Sequence, residues 1–187
     1  VILPELHRRV MEVEKSIMSL GGPLVLIEAP LYSEWRGTGG SSSPKSTAKT
    51  DYERACGVRE YAGVIPVSNG EAMVLGDMPM LTSFFLRDNG TIVIYRYVYA
   101  PEDFDYLRIP HILMDNQLNI LETCSFITHG KELRLFDATA DMTRDRPEVL
   151  LIPLKKGRYS VDTLHFLSDE TSIIFHDFKH EGNEKSA

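Results

Sequence analysis

Cysteine is scarce in this chain: only Cys56 and Cys124 occur, far apart, with no CxxC or Cys/His spacing around either. That argues against a disulfide-stapled scaffold or a cysteine-based zinc module. It predicts two small buried thiols, reduced, with a single bridge between them as the other arrangement the count permits. A basic excess is also missing, since 20 Lys and Arg stand against 27 Asp and Glu, a formal charge of −7. Phosphate neutralisation needs a basic face, so nucleic acid is not an expected partner. Long apolar runs are absent too. The longest stretches, "GGPLVLIEAP" and "EVLLIPL", are strand-length, well short of the ~20 residues that cross a bilayer, so no membrane span is expected. The N-terminal "VILPELHRRVMEVEKSIMSL" places Glu5, Glu12 and Glu14 among its bases, which is not the pattern of a secretory leader.

The familiar catalytic signatures are missing as well. The sequence holds no GxSxG elbow, no GxxxxGK[ST] loop, no HExxH and no strand-to-helix GxGxxG, and each of these places a nucleophile, phosphate cradle or metal where its chemistry requires. The "GTGG" at 37–40 runs on into Ser, Pro and Lys rather than a helix start, so it reads as loop, not phosphate site. No catalytic residue, metal ligand or cofactor is assigned on this basis.

What is present is an ordinary globular balance: 187 residues, 43% hydrophobic and 25% charged. That is enough chain for one domain with its own core. Residues 1–180 read as a single domain and 181–187 as a disordered tail. Leu6, Val10, Val13 and Ile17 recur at helical spacing before Gly21-Gly22, which predicts an amphipathic helix over 4–19. "PLVLIEA" is a buried-strand candidate, and "GTGGSSSPKSTAKT" at 37–50 reads as a flexible Gly/Ser-rich loop. "DYERACGVREY" suits one or two helical turns with Asp51 near the cap. Hairpins are expected around Asn69-Gly70 and Asn89-Gly90, because Asn-Gly tolerates the positive φ of a tight turn. "PEDFDYLRIPHILMDNQL" is helix-like but broken at Pro110, and the last third returns to strands. The fold class is α+β, dominated by antiparallel pairing, with the N-terminal helix and one or two short helices.

Several clusters merit weighing for chemistry. His165 and His176 could face each other across a hairpin turning at "SDET", with Asp177 as a third ligand, although strand histidines are more often solvent-facing polar positions. The acidic runs at 101–106 and 137–148 hold paired carboxylates of the kind a glycosidase uses. No aromatic sugar platform is read beside either run, so a solvated acidic rim is favoured. Cys56 lacks an assignable histidine base and reads as a buried small residue on its helix. Trp35 beside Arg36 is either a binding anchor or a core side chain.

"GGPLVLI" at 21–27, the Trp-Arg-Gly at 35–37, "DYERAC" at 51–56, "YAGVIPVSNGEAMVLGDMP" at 61–79 with Thr82, and "KKGRYSV" at 155–161 resemble, in that order, the immunity protein 21 family of bacterial polymorphic toxin systems. The resemblance implies a small cytoplasmic protein that binds and neutralises a toxin made beside it, with no enzymatic activity. The net charge suggests a basic toxin, because complementary charge speeds association. Under that reading the expected contact residues are Trp35 as apolar anchor, with Asp51, Glu53, Asp77, Asp141 and Asp145 as charges. The competing class is a small hydrolase or ligand-binding domain using the acidic loops or the His165/His176 pair.

Overall fold

A computed structural model describes residues 15–19, 21–43, 49–76 and 81–181. Two antiparallel sheets carry the fold. Along the chain the strands are β1 (Ile17–Met18), β2 (Leu24–Glu28), β3 (Ala62–Val67), β4 (Gly70–Leu75), β5 (Leu81–Leu86) and β6 (Ile92–Tyr99). They continue with β7 (Ile120–Thr128), β8 (Leu133–Asp137), β9 (Leu150–Ile152), β10 (Gly157–Leu167) and β11 (Ser172–His180). Three short helices interrupt them: α1 (Ala29–Tyr32), α2 (Asp51–Ala55) and α3 (Ile109–Asp115). One sheet has the order β1-β5-β6-β11-β10-β7 and the other β3-β4-β2-β8-β9. Every neighbouring pair runs antiparallel.

The inner faces meet in one core. Leu24, Leu26, Met73, Leu75 and Leu135 from the five-stranded sheet pack with Ile92, Ile94, Phe126, Val161 and Phe178 from the six-stranded sheet. Alternate residues of the same strands face outward, and there too they are covered. Val25, Ile27, Val74 and Phe136 lie under Trp35 and α2, and Val93, Tyr95, Ile173 and Phe175 lie under α3 and its flanks. This double cover explains why "LVLIE" is buried at all five positions and reads as a continuous apolar run rather than an alternating one.

The N-terminal amphipathic helix is not shown. Its Leu6, Val10 and Val13 lie outside the described residues, while Ile17, assigned to it from spacing, sits in a strand paired with Thr82 and is buried in the inter-sheet core. Both Asn-Gly hairpins form, with one shift. Val67 pairs with Gly70, so the first turn is Ser68-Asn69, and Ser68 takes the positive φ of 49° while Gly70 belongs to the strand. At the second turn Gly90 has φ 77° and donates to Arg87 O, and the Asn89 side chain accepts from Thr91, a turn closed by a left-handed glycine. Cys56 is exposed at the end of α2 rather than buried, Cys124 is half-buried on β7, and both are free thiols.

The two sheets close on each other along β3 and β7 through side chains. Glu122 of β7 accepts the backbone amide of Ala62 on β3 at 2.6 Å, and Glu71 of β4 accepts that of Ile127 on β7 at 3.0 Å. The far end of β3 is blunted as well: Pro66 has no N–H and its carbonyl accepts from Arg54, and just past the strand Ser68 N donates to Ser42 O.

Candidate functional site

The residues singled out from sequence on the five-stranded side do converge, but around a clamp. The Thr50 side chain caps α2 in a reciprocal capping box with Glu53, which fixes Asp51 at the first helical position. Asp51 is fully buried and accepts from Arg36 N at 2.9 Å, Ser42 N at 2.8 Å and Arg54 Nη2 at 2.6 Å. It thereby pins residues 36–42 onto α2. On the far side of the same segment, Arg36 Nε lies 3.4 Å from Asp141, which also meets Arg144 at 3.2 Å. Hydrogen bonds from the Thr143 hydroxyl and amide, opposed by burial and reinforced by the two arginines, hold the Asp141 carboxyl below its ordinary range. Asp145 accepts from Asp141 N at 2.8 Å. Gly37 has φ 47°, and a Cβ there would run into the Ala140 carbonyl, while one on Gly39 would run into the Asp141 carboxylate. The "GTGG" glycines thus let this segment lie flat on residues 139–141.

Trp35 has no exposed surface. Its Nε1 donates to Ala138 O at 3.1 Å and its ring meets Phe136 edge-on at 6.1 Å. Trp35, Asp51 and Asp141 therefore hold the scaffold and offer a partner no side-chain surface, whereas Glu53 and Asp145 are exposed. Asp77 lies outside the described residues. An open groove of about 390 Å³ beside the clamp is lined by Lys49, Glu53, Arg54, Val58, Ile65 and Pro66 among others. Its lining carries one carboxylate, two cations and no histidine.

The histidine pair shares the inner face of the β10–β11 hairpin without forming a ligand set. His176 stands opposite Thr163 and His165 opposite Ile174. His176 is fully buried, not solvent-facing, with Nδ1 3.1 Å from Thr163 Oγ1, while His165 Nε2 lies 2.7 Å from Ser172 Oγ. Asp177 points to the other face and pairs with Arg87, with Nη2 3.0 Å from Oδ2. Beside it Asp162 takes Lys179 at 2.6 Å and Thr123 at 2.6 Å. Among the described residues no group of three His, Cys, Asp or Glu is placed to hold a metal ion. No helix among them is long and apolar enough to cross a membrane.

A different surface lies at one end of the six-stranded sheet, where β6 and β10 end and β7 and β11 begin. The connection from β6 to β7 carries a 3-10 turn at Tyr106–Arg108 and then α3, and lies over the outer face. Phe104 and Tyr106 do accompany the 101–106 acidic run, stacked edge-on against each other and against Tyr97 at 5.1–6.1 Å rather than forming a flat platform. On α3, Ile109, Ile112 and Leu113 face the sheet while His111 and Met114 stand exposed, as does Leu107 on the 3-10 turn before it. Sequence reading passed over these positions. Only Met114 of the three is both apolar and on the helix, so no helical periodicity marks them in the sequence.

The molecule is an antiparallel β-sandwich whose aspartates Asp51, Asp141, Asp162 and Asp177 are engaged by arginines and a lysine. The chain belongs to the immunity protein 21 family, whose profile matches residues 15–172. No curated protein and no solved structure matches it.

Proposed function

We propose that this protein binds and neutralises a cognate toxin protein in the cell that produces both, acting by occupancy and not by catalysis. The observation that carries this reading is membership of the immunity protein 21 family over residues 15–172. The arrangement of ionisable groups supports it. Asp51, Asp141, Asp162 and Asp177 are each paired with Arg or Lys, so these four carboxylates are engaged by the scaffold rather than poised for proton transfer. The formal charge of −7 favours a basic toxin, and a cytoplasmic location follows from the need to meet that toxin inside the producing cell. Exposed Glu53 and Asp145 are the sequence-derived contact candidates that such a toxin could reach.

The test is co-expression with the product of the adjacent gene. The expected result is that growth arrest caused by that product is relieved and a stable complex copurifies. Persistent arrest despite soluble expression of both chains would overturn the reading.

A further inference from the structure

Single exposed apolar side chains are normal on a protein surface, and a gathering of them is not. Of the twelve large hydrophobic side chains that stand exposed among the described residues, eight lie in 98–121 or at Leu167. Val98, Tyr99, Ile120, Leu121 and Leu167 stand at one end of the six-stranded sheet, and Tyr106, Leu107 and Met114 on the connection that leaves it. Tyr99 pairs with Ser172, Ser172 with Leu167, and Leu164 with Ile120, so the ends of β6, β10, β11 and β7 stand side by side. Leu107 and Met114, on the connection between β6 and β7, are 57% and 66% exposed.

The same end is acidic. Glu102, Asp103, Asp105, Asp115, Asp169 and Glu170 are exposed there with Arg108 as the single base, six acids less one base, or −5. Asp105 caps the amide of Leu107 at 3.0 Å, and among the described residues none of the six carboxylates makes an ion pair with a base. At the clamp Asp51 and Asp141 are engaged by the scaffold, whereas these six carboxylates face solvent alongside exposed apolar side chains.

From this we infer that the end formed by 98–121 and the 167–171 turn is the docking surface, and that its occupant is a cationic surface of the toxin; this rests on the immunity reading above. A second copy of the chain would bring two −5 surfaces together, and an anionic bilayer or nucleic acid would be repelled likewise. A basic protein surface satisfies the carboxylates, while its apolar groups cover Tyr99, Leu107, Met114 and Leu167. The edge-on packing of Tyr97, Phe104 and Tyr106 holds the connection in place before binding, which lowers the ordering cost of association.

The test measures association and dissociation of the adjacent-gene product, at low and high salt, with three sets of variants. One is Asp103→Lys with Asp115→Lys and Glu170→Lys; the second is Leu107→Ala with Met114→Ala; the third, beside strands of the five-stranded sheet, is Glu34→Lys with Glu148→Lys. Unchanged urea midpoints establish that each set folds. The first set is expected to slow association at least about tenfold and flatten its salt dependence, the second to speed dissociation at least about tenfold, and the third to do neither. Wild-type rates in the first two sets, or an equal slowing by the third, overturns the assignment. So does sedimentation showing that the free protein dimerises through this end, or adhesion of the free protein to anionic vesicles lost in the second set. Should the wild type form no complex with the product at all, the immunity reading itself fails, and the docking surface with it.

Discussion

The carboxylate of Glu122, on the edge strand of one sheet, accepts the backbone amide of Ala62, on the edge strand of the other, at 2.6 Å. Glu71 makes the complementary contact to Ile127. Sheet edges that meet at a corner leave amides that no ladder can satisfy, and here two glutamates do so. Glu122→Ala orphans the Ala62 amide at a partly buried site, for an expected loss of about 1–3 kcal/mol in urea unfolding. Glu122→Gln keeps an acceptor oxygen in place, so its loss is expected to be the smaller one. Equal losses for the two would show that charge, not the amide contact, matters at this corner.

Asp51 and Trp35 are expected to act on stability rather than on toxin affinity. Asp51→Asn places an amide against one of the three donors that converge there and leaves Arg54 without its countercharge, at a cost of about 3–5 kcal/mol. Trp35→Phe opens a cavity and strands the Ala138 carbonyl, for about 2–4 kcal/mol. Trp35 is the only tryptophan, so native fluorescence is expected to be blue-shifted and to move red on unfolding, with no change when toxin binds. A shift on binding would place Trp35 at the interface after all.

The sequence made the antiparallel pairing legible through its hairpins, because Asn-Gly turns and short apolar runs are local signals. The family resemblance was equally local, carried by a few strand and turn segments. Placement of side chains was less legible, because it depends on what covers each face. Trp35 and Asp51 look like surface candidates in a list of residues, yet both are buried by contacts with residues 138 and 36–42, which no periodicity reveals. Ile17 has the spacing of a helix and the β-branched side chain of a strand, and its pairing with Thr82, a long-range contact, decided the matter. The exposed end at 98–121 escaped notice because an apolar side chain reads as core until the fold shows it uncovered.

The two thiols are expected to differ in reactivity. Cys56 is exposed, whereas Cys124 is half-buried, and burial, aided by the negative charges of Glu122 and Asp162, pushes its thiol up to about 11. Only the thiolate attacks an alkylating reagent. Native protein at neutral pH is therefore expected to label at Cys56 alone, and protein in urea without reductant at both positions, as read by mass spectrometry. Labelling at neither position in urea would mean that the cysteines are oxidised.

The stability of the fold is expected to fall with pH because of His176. Burial, with the positive charge of Arg96 adding to it, lowers its imidazole from 6.5 to about 3. Its neighbours on the same face are Thr163 and, beyond it, Glu122; neither hydrogen bond requires a charged ring. In the unfolded chain the imidazole protonates below 6.5, while in the folded protein it stays neutral down to about 3. Between those values the unfolded state binds the extra proton, so the stability contributed by the neutral ring is fully present above 6.5 and is lost as the pH falls toward 3. The slope contributed by this one group approaches 2.303RT, about 1.4 kcal/mol per pH unit. Glu28 and Asp162, where the opposing effect of burial is outweighed by the hydrogen bonds that hold them low, lose their contribution in the same direction but only below their ordinary values of 4.5 and 3.8. Urea unfolding of the wild type between pH 6.5 and 4.5 is therefore expected to weaken steadily, and His176→Asn to remove most of that slope while lowering stability at neutral pH. An NMR titration separates the cause from the effect: the His176 ring resonances are expected to stay at their neutral positions throughout this window. If they titrate near 6.5, or if His176→Asn retains the wild-type slope, the acid sensitivity belongs to another group.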